Sequence, residues 1–391
     1  NISSIHGIHY YPGQLIPQIP SFFLKTISKN SEDSYVFDPF CGTGTVQAEA
    51  IRNGWNTVGV EINPIAALIA KVKTTAININ ILKNTLEKIK VNYIKNKEID
   101  VEPIYFENIN YWFEDNVIKE LSHILFIINQ IDDENIKDFF KVSFSSIIKK
   151  VSNADTRIYV PVKIKITKID VDVWDIFNKK CNENIERINN FFNNINTDSI
   201  VKIYNKDIRN FENDDVAYDL IITSPPYIAA QKYVRSTRLE AYWLGFDKQT
   251  QLQINKNTIG TEITSLSTNS SINKTTIKNL DNIIDQIQIT NLERAKIMSN
   301  YFTEMQKIIK KLYNLLSENG KFILIIGDNT VSNIKIQSHE YLINMAENEG
   351  FKVDSIYLDK ILSRKLMTKR NKTANIIDYE WIIKMNKYGK N

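Results

Sequence analysis

The stretch FDPFCGTGT (residues 37–45) decides the fold. It follows a short apolar run and leads into TGTVQAEAIRN (43–53), whose apolar positions recur at helical spacing, with Gly54 as the stop signal. A second apolar run, NTVGVEI (56–62), comes next, and PIAALIAKVK (64–73) opens another helix with proline in its first turn. A strand, a tight loop, a helix and a second strand at this spacing form a βαβ unit, so the two strands are predicted to be parallel.

The same alternation resumes later in the chain. Further strands are predicted at 199–207, 218–224 and 320–328, and helices around 291–317 and 338–349. The final pair of strands, 351–359 and 376–385, is predicted to be an antiparallel hairpin with a long loop. These elements predict an α/β fold with a doubly wound, mostly parallel, seven-stranded sheet and a C-terminal antiparallel hairpin.

Two regions interrupt the alternation. Residues 74–198 have apolar positions spaced by three and four, which predicts a helical insertion with its own core and a candidate target-recognition region. Residues 248–290 are rich in Thr, Ser, Asn and Gln, and are predicted to be a mobile polar excursion that orders on a ligand. The catalytic domain is therefore assigned to residues 1–73 and 199–391.

Composition excludes several classes of protein. The 391 residues are 43% hydrophobic, contain no apolar run long enough to span a membrane, and begin without the pattern of a signal peptide. Two cysteines and four scattered histidines predict no metal site and suit a reducing, cytoplasmic location. The formal charge of +4 permits a polyanionic partner without requiring one.

The glycine loop has the residues of a nucleoside site. Gly42 and Gly44 let the backbone approach a ligand, and the following helix begins with N–H groups that favour an anion. Glu61, at the end of the second strand, can accept both hydroxyls of a ribose. Asp38 would repel a diphosphate but suits a ligand with an amino group. Asp207, at the end of the third strand, can accept from an adenine amine or cap a turn.

A second turn, IITSPPYIA (221–229), follows a buried strand. Its two prolines fix the backbone and donate no N–H, so their carbonyls are free acceptors in a rigid turn. Ser224 adds a hydroxyl and Tyr227 an aromatic face on which a planar, amino-bearing substrate can stack. Two acceptors on an exocyclic amine favour a pyramidal nitrogen whose lone pair can attack an electrophile.

The motifs DPFCGTGT, VGVEINP and TSPPY together resemble those of S-adenosylmethionine-dependent DNA amino-methyltransferases, which methylate cytosine N4 or adenine N6. The resemblance implies a Rossmann-like methyltransferase sheet, the cofactor S-adenosylmethionine and double-stranded DNA as partner. It also suggests that the segment containing Pro12 and Pro17 packs on the methionine end of the cofactor. The catalytic residues it implies are Ser224, Pro225, Pro226 and Tyr227. The cofactor contacts it implies are Tyr11, Asp38, Phe40, Gly42, Thr43, Gly44, Thr45, Glu61, Ile62, Asp207 and Thr223.

Serine at the head of the catalytic motif resembles the cytosine-N4 subgroup, and adenine N6 is the alternative. Methylation at cytosine C5 is disfavoured because it needs a cysteine nucleophile beside a proline, and Cys41 and Cys181 lack that context. An RNA amino-methyltransferase and a non-catalytic DNA-binding module are the other readings. A restriction-modification system would supply a cognate restriction endonuclease as partner.

A base in duplex DNA must be flipped out to reach such a turn, and phosphate contacts must hold the distorted duplex. The basic segment SRKLMTKRNK (363–372), in the loop of the last hairpin, is the first candidate for these contacts. Arg235 and Arg238, just after the catalytic turn, are the second candidate. The predicted DNA contacts are Arg235, Arg238, Arg364, Lys365, Lys369 and Arg370.

Overall fold

A computed structural model describes residues 4–95, 101–164, 171–195, 198–213, 216–228, 233–261, 272–361 and 377–388. The strands in these ranges are β1 (Tyr35–Asp38), β2 (Asn56–Val60), β3 (Val201–Tyr204), β4 (Tyr218–Thr223), β5 (Leu316–Gly327), β6 (Asn329–Val331), β7 (Ile334–Ile336), β8 (Phe351–Lys360) and β9 (Tyr379–Lys387). The helices are α1 (Gln18–Thr26), α2 (Thr45–Arg52), α3 (Pro64–Lys73), α4 (Ile79–Lys95), α5 (Ile109–Trp112), α6 (Asp115–Asn129), α7 (Glu134–Val151), α8 (Val173–Phe192), α9 (Tyr233–Ser236), α10 (Arg238–Trp243), α11 (Lys248–Asn257), α12 (Lys278–Thr290), α13 (Leu292–Leu315) and α14 (Ser338–Glu349).

Seven strands form one sheet in the order β3-β2-β1-β4-β5-β9-β8. The first five pair in parallel, and β9 lies antiparallel between β5 and β8. This confirms the predicted doubly wound, mostly parallel sheet with its C-terminal hairpin. Because β8 is antiparallel to β9, it runs parallel to β5, and the β8–β9 connection leaves the sheet at the carboxyl ends of the parallel strands. A small β6–β7 pair after β5 has no counterpart in the sequence prediction.

Both faces of the sheet are buried, as expected for parallel strands between helices. Successive residues of β1 point to opposite faces: Val36 packs with residues of α1 and α2, such as Phe23 and Ala50. Phe37 packs on the other face, in the core that includes α12, α13 and α14. β1 lies between β2 and β4, where the strand order reverses, so the carboxyl end of β1 is the expected ligand crevice.

The predicted helical insertion is observed as α4 to α8, which are buried against one another and against the catalytic part. Leu121 and Phe144 of the insertion belong to the same hydrophobic core as Ile51 of α2 and Ile69 of α3. Trp243 of α10 also lies in this core. The insertion therefore shares its core with the catalytic domain rather than having its own, because α2 and α3 present apolar side chains on their outer sides.

The polar excursion at 248–290 contains two helices, α11 and α12, in its described part, and residues 262–271 lie outside that part. Leu280, Ile284 and Ile287 are buried at helical spacing against the core that contains α13. This apolar stripe is short, and the surrounding Asn, Thr and Lys residues make the average composition of the segment polar. The composition alone therefore does not reveal the buried helix face. None of the helices in the described ranges is long and apolar enough to cross a membrane.

Candidate active site

A cavity of about 940 Å³, including space open to solvent, lies at the carboxyl ends of the parallel strands. Segments that are distant in sequence line it: the N-terminal segment, the glycine loop after β1, the end of β2, the turn after β3 and the turn after β4. Its lining residues include Tyr11, Gln14, Asp38, Phe40, Gly42, Thr43, Thr45, Glu61, Ile62, Asn63, Asp207, Ser224, Pro226 and Tyr233. The structure thus brings most of the predicted cofactor residues and two catalytic-turn residues to one space.

The Glu61 carboxylate is fixed at the end of β2 by two backbone donors. Gly42 N–H donates to Oε2 at 3.0 Å, and Asn63 N–H donates to Oε1 at 2.7 Å. Burial raises the pKa of Glu61 to about 7, and the bonds from these N–H groups oppose that shift. Each oxygen keeps a lone pair for a further donor, so the carboxylate can accept two ligand hydroxyls.

Asp38 joins the cofactor loop to the catalytic strand. Its Oδ1 accepts from the Thr223 hydroxyl at 2.6 Å and from Phe40 N–H at 3.0 Å. Burial raises its pKa to about 7, these two bonds lower it, and the charge of Glu61 raises it further. Thr223 therefore acts through Asp38. Within the described ranges both bonds go to Oδ1, so Oδ2 is the oxygen available to a ligand in the cavity.

Gly42 and Gly44 of the loop are required to be glycine for different structural reasons. Gly42 has φ +51° and lines the cavity, and a Cβ there would meet nothing in the described chain within 4 Å. Gly44 has φ +72°, and a Cβ there would lie 2.9 Å from Cβ of Ala70. Gly42 thus serves the approach of a ligand, whereas Gly44 serves the packing of α2 against α3. The structure does not place Gly44 among the residues that line the cavity.

Several distant contacts hold the turn that follows β4. The Tyr227 hydroxyl donates to Glu380 Oε1 of β9 at 2.6 Å, and Asn329 Nδ2 donates to the Ile228 carbonyl at 2.9 Å. Ser224 and Pro226 line the cavity, while Tyr227 and the buried Pro225 are absent from its described lining. Burial raises the pKa of Tyr227 far above its ordinary value, and the charge of Glu380 adds to this.

Glycine also makes room for the Tyr227 residue. A Cβ at Gly327, the last residue of β5, would lie 3.1 Å from Cε2 of the Tyr227 ring. A Cβ at Gly260 would lie 2.8 Å from the Tyr227 carbonyl oxygen. The ring and the main chain of Tyr227 are therefore both closely packed, and the turn has little freedom to move.

Two tyrosines form an aromatic wall of the cavity. Tyr11, from the N-terminal segment, and Tyr233, from α9, lie with ring centroids 6.3 Å apart and planes within 12°. Tyr11 is buried and Tyr233 is partly buried, and burial raises the pKa of each phenol well above its ordinary value, so both rings are uncharged near neutral pH. Tyr11 is thus placed at the site as predicted, and Tyr233 is an addition to it.

This combination of a carboxylate fixed for two hydroxyls and a second acidic acceptor beside it suits a nucleoside that carries an ammonium group. Comparison with known families agrees, because a family model described as DNA methylase, of the N6/N4 type, matches residues 3–72 and 218–391. The chain belongs to this DNA methylase family. S-adenosylmethionine is accordingly its cofactor, and the Rossmann-like sheet is that of S-adenosylmethionine-dependent methyltransferases.

Relatives of this DNA methylase include two curated type II methyltransferases. M.MvaI of Kocuria varians is 25% identical over 409 aligned positions, which cover 95% of this chain and 86% of that protein. M.MjaII of Methanocaldococcus jannaschii is 29% identical over 184 positions, 45% of this chain and 31% of that protein. A solved structure of an S-adenosylmethionine-dependent methyltransferase from Methanosarcina mazei aligns with this chain at 9% identity and a TM-score of 0.33. The alignment covers 96% of this chain and 100% of that protein's chain.

Asp207 lines the cavity of the DNA methylase at the end of β3, but its carboxylate is already engaged. It caps the turn at Ile208–Asn210 through Arg209 N–H at 2.9 Å. The Arg209 guanidinium also binds both carboxylate oxygens, and it pairs with Glu304 of α13. The capping role of Asp207 is therefore observed, and its contact with adenine stays a prediction.

The predicted DNA contacts differ in their surroundings. Arg235 is exposed on α9, whereas the Arg238 guanidinium lies over the Trp112 ring, 4.7 Å from its centroid. Burial lowers the pKa of Arg238, and the nearby charge of Arg235 contributes. Arg238 thus joins α10 to the helical insertion, and the contact of either arginine with a DNA phosphate stays a prediction. Arg364, Lys365, Lys369 and Arg370 lie outside the described residues.

Sequence reasoning missed several residues of this site. Glu380 lies 153 positions from Tyr227, and Asn257, Thr258 and Ile259 at the end of α11 line the cavity without any recognisable motif. Asn63 had a signal, because Asn before Pro in VEINP is a typical helix cap and its side chain accepts from Ile65 N–H. Within the described ranges no group of His, Cys, Asp and Glu residues could hold a metal ion.

Proposed function

We propose that this DNA methylase transfers the methyl group of S-adenosylmethionine to the exocyclic N4 amine of a flipped cytosine in a specific DNA sequence. The observation that carries the proposal is that Ser224 lines the same cavity as Asp38 and Glu61. The hydroxyl at the head of the catalytic turn and the acids of the cofactor site therefore face one space, as a direct transfer between two bound ligands requires.

In this proposal the rigid turn prepares the amine for attack. The Ser224 hydroxyl and the Pro225 carbonyl accept the two hydrogens of the NH₂ group, which favours a nitrogen lone pair free of ring conjugation. The cofactor supplies an electrophilic methyl group on a sulfonium. The proton of the amine leaves after attack, so no strong base has to act beforehand. The Tyr227 ring, which lies outside the described lining of the cavity and is held by its bond to Glu380, is assigned the role of stacking on the flipped base.

Cytosine N4 is preferred over adenine N6 because Ser224 replaces the acid or amide found elsewhere at this position of the motif. A neutral hydroxyl can accept from the amine and also donate to the neighbouring ring nitrogen. Methylation at C5 is disfavoured: Cys41 lies in the glycine loop and lines the cavity, but it is buried and burial raises the pKa of its thiol well above the ordinary value. Such a thiol is a poor nucleophile.

The helical insertion is the first candidate for recognition of the DNA sequence. The family model leaves residues 73–217 unmatched, and α4 to α8 lie within this range. α10 joins the insertion to the segment that follows the catalytic turn, because Trp243 and Arg238 both pack against it. The 248–290 excursion is the second candidate, since the end of α11 lines the cavity.

The named relatives are type II methyltransferases, which supports the proposal that this enzyme belongs to a restriction-modification or similar DNA-modification system. A cognate restriction endonuclease is then the expected functional partner, acting on the same sequence. A cytoplasmic location follows from that role and stays a prediction.

The test is methyl transfer from S-adenosylmethionine labelled in the methyl group to mixed double-stranded DNA, with an equal amount of RNA in a parallel reaction. Hydrolysis to nucleosides and chromatography should show the label in N4-methylcytosine, and Ser224→Ala should remove it. Label in N6-methyladenine would contradict the choice of base. Label in RNA alone would favour an RNA methyltransferase, and cofactor binding without any transfer would favour a non-catalytic DNA-binding module.

A further inference from the structure

Lys73, at the end of α3, is a fully buried lysine without an ion-pair partner in the described part of the chain. Its ammonium has three donors, and the one acceptor observed among the described residues is the Thr43 hydroxyl oxygen, at 3.4 Å. A buried ammonium costs much free energy unless it is paired, so Lys73 is expected to have a partner. Burial lowers the pKa of Lys73 to about 7.

The carboxylate of the neighbouring helix α2 that acts on Lys73 is already paired with other groups. Glu49 of α2 binds His6 Nε2 at 2.9 Å and lies 3.6 Å from the Arg52 guanidinium. Glu49 contributes to the field at Lys73 without forming an ion pair with it. The positive charge of Lys73 is thus left for something that enters from the side of Thr43.

Thr43 connects Lys73 with the cavity. Its hydroxyl oxygen accepts from Gln14 Nε2 at 2.9 Å and from Lys73 Nζ, which uses both lone pairs. The hydroxyl proton is therefore free to donate, and Thr43 and Gln14 both line the cavity. Because its oxygen already accepts two hydrogen bonds, the Thr43 hydroxyl can only donate to a ligand. An anionic acceptor gives the strongest hydrogen bond with such a donor.

S-adenosylmethionine has one anionic group, the carboxylate of its methionine end. Asp38, Glu61 and Asp207 would repel that carboxylate from the rest of the cavity. We propose that Thr43 and Lys73 form the subsite for the cofactor carboxylate, with Thr43 as the direct donor and Lys73 as the positioning residue and buried counter-charge. This inference depends on the cofactor alone and is independent of which base is methylated.

The experiment compares two ligands that differ only in this carboxylate: S-adenosylmethionine and its decarboxylated form. Calorimetric titration of the parent protein should show that the carboxylate strengthens binding by about 10-fold or more, the worth of a charge-assisted hydrogen bond. Lys73→Met should remove most of that preference, by weakening the binding of S-adenosylmethionine while leaving that of the decarboxylated ligand nearly unchanged. Equal weakening of both ligands, or none, would overturn the proposal.

Three further variants make the test specific. Thr43→Val should lose the same preference and Thr43→Ser should restore it, which keeps the proposal testable if Lys73→Met does not fold. Lys71→Met, on the same helix but paired with Asp138 at the surface, should leave the preference unchanged. Lys206 also lines the cavity, at its exposed rim, and loss of the preference in Lys206→Met but not in Lys73→Met would assign the carboxylate there instead.

Discussion

The Tyr227 hydroxyl donates a hydrogen bond of 2.6 Å to the Glu380 carboxylate, which ties the catalytic turn to the last strand of the sheet. β9 lies next to β5 in the sheet, with Glu380 opposite Gly327, so the carboxylate sits directly beside the end of the turn. Burial raises the pKa of Glu380, and the bond from Tyr227 opposes that shift. The orientation of the tyrosine ring is thus set by a residue at the far end of the chain.

Glu380→Ala is expected to reduce kcat by about 10- to 100-fold, because loss of a charge-assisted hydrogen bond releases the ring from its position. Glu380→Gln keeps an acceptor and should retain more activity. Steady-state kinetics with DNA and a cofactor titration check this, since cofactor affinity should change little in either variant. Parent-level kcat in Glu380→Ala would refute the positioning role.

Ser224→Ala and Tyr227→Ala are expected to abolish or nearly abolish methyl transfer while they retain cofactor binding. The substitution of Ser224 removes an acceptor for the amine, and that of Tyr227 removes the stacking surface for the base. Single-turnover transfer assays and calorimetric cofactor titrations measure the two properties separately. Transfer at the parent rate in both variants would show that the chemistry takes place elsewhere.

Cofactor affinity is expected to fall as the pH decreases below about 7. Burial raises the pKa of Glu61 to about 7 in the unliganded protein, and only the ionised carboxylate can accept both ribose hydroxyls. Protonation of Glu61 therefore competes with cofactor binding at low pH, and binding near neutral pH should release a proton from Glu61. Lys73, whose pKa burial lowers to about 7, acts in the opposite direction, because it must be protonated to pair with the cofactor carboxylate, but Glu61 and Asp38 together outweigh it. Cofactor titrations between about pH 5.5 and 8.5, a range centred on the pKa of Glu61, measure this change in affinity.

The matched variant for this pH dependence is Glu61→Gln, which keeps the shape of the side chain but has no proton to lose. It should bind the cofactor more weakly than the parent at pH 8, with a smaller dependence on pH. The remaining dependence would come from Asp38, whose pKa burial raises to about 7, and from Lys73, whose pKa burial lowers to about 7. Protonation of Asp38 weakens binding and protonation of Lys73 strengthens it, so the two effects oppose each other. An unchanged affinity in Glu61→Gln would contradict the assignment of Glu61 to the ribose.

Substitution of the two loop glycines is expected to separate stability from binding. Gly44→Ala combines a left-handed backbone with a Cβ 2.9 Å from Ala70, and should lower the free energy of unfolding by about 2–4 kcal/mol. Gly42→Ala meets no described atom within 4 Å, so only the backbone strain of about 1 kcal/mol applies, but the added methyl group enters the cofactor space. Chemical denaturation and cofactor titration distinguish the two effects. Equal loss of stability in both variants would contradict this division.

Local patterns in the sequence predicted the elements of the sheet. The alternation of β1, with Val36 and Phe37 on opposite faces, and the helical spacing in α2 depend on neighbours within a few residues, so they can be recognised in the chain. The glycine loop, Glu61 and Ser224 were also recognisable, because each follows a strand directly. In parallel strands those carboxyl ends meet at one edge, and the shared cavity follows from that geometry.

By itself, then, the sequence determined the sheet, its ligand edge and the chemical type of the site. Only the tertiary structure decided which distant residues serve that site: Glu380 against Tyr227, Lys73 beneath Thr43, and Arg238 on Trp112. It also decided that the helical insertion shares a core with α2 and α3. Such contacts depend on strand order and on the packing of helices against the sheet, and these arise from the summed burial of many side chains rather than from any local motif.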